Sequence, residues 1–89
     1  MINNVAIEFF LYEKDEPLEI QLEPECLIFK ASPQNTIKFV AINCTAEFQW
    51  CLRINHKNNG IQLFPESKGD YDIEIYENDN LLDDWYKYM

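Results

Sequence analysis

The chain has 89 residues, 47% hydrophobic and 26% charged, with 16 acids against 7 bases and a formal net charge of −9. That length makes one small domain, too small for a two-domain cleft, and the composition is globular rather than that of a disordered tail. The acidic balance argues against direct binding of nucleic-acid phosphates or an anionic membrane, since both depend on an excess of lysine and arginine.

From the N-terminus, Met1-Ile2-Asn3-Asn4 lacks the basic and apolar segments of a secretory signal, so a cytoplasmic location is expected. No stretch approaches the ~20 apolar residues of a membrane-spanning helix. Val5, Ile7, Phe9 and Leu11 alternate with Ala6, Glu8, Phe10 and Tyr12, the period of a strand with one buried face. The turn-like Glu13-Lys14-Asp15-Glu16-Pro17 follows, and then Leu18, Ile20 and Leu22 alternate with Glu19, Gln21 and Glu23. Glu23-Pro24-Glu25 ends that run, and the sparsely charged Cys26-Leu27-Ile28-Phe29 begins another. After Ala31-Ser32-Pro33-Gln34-Asn35, Ile37 and Phe39 alternate with Thr36, Lys38 and Val40. Phe48, Trp50, Leu52 and Ile54 alternate with Gln49, Cys51 and Arg53, which places the first set inward. The turn cluster at 55–60 leads to Ile61-Gln62-Leu63-Phe64, and a second cluster, Pro65 to Asp70, leads to the last clear strand. In that strand Tyr71, Ile73 and Ile75 point one way, and Asp72, Glu74 and Tyr76 the other. Leu81 to Tyr88, after Asn78-Asp79-Asn80, fits either a short helix or the return strand of a hairpin.

Short Ile-, Phe-, Val- and Tyr-rich runs punctuated every ~8–12 residues predict an all-β fold. The expected architecture is a small antiparallel β-sandwich, immunoglobulin-like, with seven to eight strands in a single domain over residues 1–89. Trp50 is placed as its inward tryptophan and Tyr71 as a corner tyrosine.

Chemistry-bearing residues are sparse. Cys26, Cys44 and Cys51 are an odd set, which speaks for reduced thiols rather than a disulfide framework. His56 is alone in a turn, and with only Gly60 and Gly69 the chain cannot form a glycine-rich phosphate loop. The cysteines and His56 lack zinc spacing, and Asp79, Asp83 and Asp84 lack the pattern of a calcium loop. No catalytic residue, metal or cofactor is expected, and the chain is read as a non-enzyme.

The charge is uneven: residues 1–30 carry −5, residues 31–69 carry +2 and residues 70–89 carry −6. In the last segment aromatics interleave the acids, and this pairing marks protein interfaces, where Trp and Tyr anchor and charges steer. The candidate partner-binding residues are Asp72, Glu74, Tyr76, Asp83 and Asp84, with Phe10 and Tyr12 as further outward-facing aromatics.

In size, charge and this aromatic–acid interleaving the chain is similar in character to small bacterial toxin-immunity proteins, the partners of contact-dependent inhibition toxins and colicin-type nucleases. The resemblance implies an inhibitor whose acidic face occupies the cationic cleft of a basic toxin, with carboxylates standing where phosphates would sit. A nucleic-acid mimic directed at a DNA- or RNA-binding complex would use the same charge logic. An adaptor that pairs through a strand edge would use its least charged strands, Cys26-Leu27-Ile28-Phe29 or Ile61-Gln62-Leu63-Phe64. Self-assembly would instead use outward Phe10, Tyr12 and Phe64.

Overall fold

Turn chemistry sets the strand boundaries in the computed structural model, which describes residues 4–24, 26–55, 57 and 60–82. Eight strands run β1 (Val5–Phe10), β2 (Leu18–Leu22), β3 (Leu27–Ala31), β4 (Thr36–Ile42), β5 (Phe48–Asn55), β6 (Gly60–Ser67), β7 (Asp72–Glu77) and β8 (Asn80–Leu81). Asn78 and Asp79 have φ of 50° and 67° between the paired Glu77 and Asn80. Two consecutive left-handed residues are the requirement of a type I′ hairpin, and Asn and Asp tolerate that backbone best after glycine. Asn78 also ties this turn to the start of β4: its Oδ1 accepts from Thr36 N–H at 3.0 Å, and its own N–H donates to the Thr36 carbonyl at 2.9 Å.

The strands form two four-stranded sheets, ordered β1-β4-β7-β8 and β3-β2-β6-β5. They pack face to face as the predicted small β-sandwich. One pairing departs from the antiparallel expectation, because β2 and β6 run parallel from Glu19↔Gly60 to Leu22↔Leu63. These strands are joined through elements of the other sheet rather than by a hairpin, and a crossing connection can return a strand in the same direction.

Period-two burial builds the core. Phe39, Ile20, Leu27, Leu63 and Ile75 are fully buried, and Phe29 and Leu22 nearly so. Each such side chain contributes about 1.5–3 kcal/mol through burial. Phe39 is central: Phe9 and Phe29 meet it edge-on, with centroids 6.1 and 5.4 Å away. Trp50 links this core to a smaller cluster of Ala41, Cys44 and Phe48, as its inward placement predicts. Tyr71, just before β7, packs edge-on against Phe48 at 5.0 Å.

At one end of the sandwich the loops before β5 and before β7 are stitched together. Asp70 N–H donates to Thr45 Oγ1 at 2.7 Å, and Thr45 N–H to the Asp70 carbonyl at 2.9 Å. Gly69 lies so close that an added Cβ would sit 2.5 Å from Thr45 Oγ1 and 2.9 Å from Ala46 N, so this crossing needs glycine.

Three expectations are corrected. Pro65 belongs to β6 rather than to a turn, because it occupies a register position opposite Trp50 where no ladder bond from its nitrogen is required. Leu52 and Ile54 have inward parity but are 44% and 63% exposed, because they lie on a terminal strand where the opposing sheet does not cover them. Of the two weakly charged segments, Leu27–Phe29 does lie on the edge strand β3, whereas Ile61–Phe64 lies in β6 between β2 and β5. Low charge in β6 reflects burial between neighbours rather than an available edge. The alternatives for Leu81 to Tyr88 are met at the start by β8, a short return strand, and the remainder lies outside the described residues.

Candidate functional site

The register fixes the outer face of the β1-β4-β7-β8 sheet. Asp72, Glu74 and Tyr76 occupy alternate positions of β7 and point outward together, opposite Ile42, Val40 and Lys38 of β4. Further across, Val40 pairs with Ala6 and Lys38 with Glu8, while on the other side Tyr76 pairs with Leu81. One row therefore runs Glu8–Lys38–Tyr76–Leu81, and the next runs Ala6–Val40–Glu74. The acids near the two ends of the sequence meet on this face, separated by β4. Those of β2 do not, since Glu19 lies on the other sheet.

Side-chain bonds order the face. Tyr76 O–H donates to Glu74 Oε1 at 3.0 Å. That bond pushes the phenol's pKa above its ordinary value, with burial and the nearby negative charge acting in the same direction. Lys38 Nζ lies over the Tyr76 ring, 5.0 Å from its centroid. Lys38 is the one cation among the described residues of this face, and the ring contact holds it there. Asp72 Oδ2 accepts from Asn43 Nδ2 at 3.0 Å, and Glu8 is exposed on the same face. At the margin, Phe10 and Tyr12 are 49% and 72% exposed and meet edge-on at 5.4 Å. Exposed aromatic rings are common anchors of a protein interface.

Of the predicted contact residues, Asp72, Glu74 and Tyr76 share one face, with Phe10 on its far strand and Tyr12 just beyond. Asp83 and Asp84 lie outside the described residues, as do His56, Trp85, Tyr86 and Tyr88. Glu8 and Lys38 also belong to this face, which no local pattern in the sequence marks. Their parity was legible, but their lateral alignment with Tyr76 depends on β4 lying between β1 and β7.

The outer face of the other sheet has a different chemistry. Cys51 Sγ donates to Glu66 Oε1, and Gln49 Nε2 donates to the sulfur at 3.4 Å. The Glu66 bond raises the thiol's pKa, against a smaller opposing effect of Gln49. A catalytic thiol needs a shift the other way. Beside it, Glu23 gathers Gln21 Nε2 at 3.0 Å, Gln62 Nε2 at 3.1 Å and the Cys26 thiol at 3.2 Å. An open depression of about 690 Å³ lies at the start of β5 and the end of β6, bordered by Glu47, Glu66 and Lys68. Among the described residues no three side chains of the metal-binding types come together, and no helix is long and apolar enough to cross a membrane. No family model, curated protein or solved structure matches this chain.

Proposed function

We propose that this chain is an immunity-type binding protein that neutralises a basic toxin by laying the outer face of the β1-β4-β7-β8 sheet over its cationic surface. The observation that carries the reading is the alignment of Asp72, Glu74 and Tyr76 on one outward row of β7, with Glu8 across the same face and its lysine engaged by Tyr76. Carboxylates placed this way attract arginine and lysine at long range, while Tyr76, Phe10 and Tyr12 supply apolar contact area once the surfaces meet. β7 is bonded along its length to β4 and at Tyr76 and Glu77 to β8, and the proposed contact is made by its outward side chains. The bacterial origin and cytoplasmic setting belong to the same proposal and rest on the sequence alone.

The test is capture from a lysate on the immobilised chain, followed by kinetics with whatever basic protein is retained. The double substitution Asp72→Lys, Glu74→Lys should lower the association rate by about tenfold or more at low salt and flatten its salt dependence. Reversal at Asp83 and Asp84 should act in the same direction. An unchanged rate and salt slope in the β7 variant would remove this face from the mechanism. Retention of a large nucleic-acid-binding complex in place of a small toxin domain would favour the mimic.

A further inference from the structure

We propose that the open edge of β5 is a second docking site, which takes an extended, acid-bearing segment of another protein as an added strand. β5 is the terminal strand of its sheet, and it pairs continuously with β6 from Phe48↔Ser67 to Asn55↔Gly60. The direction of its free backbone groups follows from its neighbour. The Leu63 carbonyl accepts from Glu23 N–H at 2.9 Å, so the main-chain groups of Leu63 face β2 and not β5. In an antiparallel ladder the residue opposite such a position, Leu52, turns its N–H and C=O outward, and so does Ile54 two residues on. Leu52 and Ile54 therefore present both the edge's backbone groups and its exposed apolar side chains.

Exposed strand edges are usually blunted by charge, proline, a bulge or brevity. β8 has two residues, and β1 has its Val5 carbonyl capped by Trp50. β1, β3 and β5 each carry one charge, Glu8, Lys30 and Arg53, and none contains proline. β5 is set apart by its eight residues and by two exposed apolar side chains at successive inward positions, Leu52 and Ile54. Among the described residues the Trp50–Val5 bond closes the seam between the two sheets only near the start of β5, and Leu52 to Asn55 are exposed.

Charge complementarity selects the occupant. Residues 48–65 contain no carboxylate and hold Arg53 and Lys57, in a chain whose overall charge is −9. Arg53 lies on the outer side of β5, with its guanidinium 5.2 Å from the Phe64 ring centroid. The stacked face of a guanidinium leaves its in-plane N–H donors available to a carboxylate. A strand with apolar residues beside Leu52 and Ile54 and an acid beside Arg53 satisfies the backbone, the apolar patch and the charge together. An isologous pairing of two β5 edges would bring their Arg53 side chains close, with no carboxylate on either strand to offset them.

The probes are two synthetic peptides, Ac-TVEVTVET-amide and Ac-TVKVTVKT-amide, added to the full chain and followed by amide hydrogen exchange. The acidic peptide should slow exchange at Leu52 and Ile54 and bind about fivefold or more tightly there than the lysine peptide. Arg53→Glu should invert that preference, and Ile54→Lys should abolish the protection. Both side chains are exposed, so these variants should keep the wild-type near-ultraviolet circular dichroism. The proposal is overturned if neither peptide protects these amides, or if both do so equally. It also fails if Arg53→Glu leaves the preference unchanged, or if sedimentation shows a dimer that protects the same amides without peptide.

Discussion

β7 and β5 alternate apolar and polar residues in the same way, yet the fold gives them different surroundings. β7 pairs with β4 along its length and with β8 at Tyr76 and Glu77, and its inward Ile75 is fully buried. In the proposed function it meets a partner through the side chains of Asp72, Glu74 and Tyr76. β5 ends its sheet, and the last two inward residues, Leu52 and Ile54, reach solvent. It can therefore offer main-chain hydrogen bonds as well as side chains. Position within a sheet, more than composition, decides whether a strand is read by its charges or by its backbone.

Truncation at matched inward positions gives the largest test of that contrast. Ile75→Ala should cost about 2–5 kcal/mol, because it leaves a cavity in a closed core. Ile54→Ala should change stability by less than about 0.5 kcal/mol, because the side chain is already largely in water. Denaturant titration of both variants measures the difference, and equal costs would show that the edge of β5 is covered in solution.

A smaller effect is expected at the seam. Trp50 Nε1–H donates to the Val5 carbonyl at 2.9 Å, joining the exposed sides of β1 and β5. Trp50→Phe keeps most of the apolar contact and removes that donor, for an expected loss of about 1–2 kcal/mol. Hydrogen exchange should quicken in β1 while β7 stays protected. Uniform quickening across both sheets would mean that Trp50 supports the whole core rather than the seam.

The smallest effects are titrations. Both strands place a weak acid beside a glutamate, Tyr76 with Glu74 and Cys51 with Glu66. Each pair raises the pKa of the tyrosine or thiol in the folded state, which favours the neutral form. The resulting stabilisation is present below the unfolded-state value and is lost as pH rises through the folded-state one. The window is alkaline, above about 8.5 for the thiol and about 10 for the phenol. Glu66→Gln should shift alkylation of Cys51 to lower pH, and Glu74→Gln should shift the ultraviolet titration of Tyr76 the same way. An unmoved alkylation profile would show that the Cys51–Glu66 bond does not persist in solution.

Much of the strand content was legible because period two is a local property. Leu18, Ile20 and Leu22 were read inward and are half-buried to buried, and Asp72, Glu74 and Tyr76 were read outward and share a face. The sequence leaves a short helix and a return strand open after Asn78-Asp79-Asn80, and the left-handed backbone of Asn78 and Asp79 turns the chain into β8. Pro65 was misassigned because proline signals a turn in isolation. Whether it can sit in a strand depends on which way its nitrogen faces, and that is set by a neighbour distant in sequence.

The all-β class, the alternation of apolar and polar sets and the uneven acidity are written in the order of residues along the chain. Each of these follows from side-chain chemistry repeated over a few residues. Packing between distant strands is what makes β4 bring Glu8 and Lys38 into line with Tyr76, what sets β2 and β6 parallel, and what leaves β5 rather than β6 at the end of its sheet. Lateral order and register arise from contacts between strands far apart along the chain. No local periodicity encodes which strand will find itself without a neighbour.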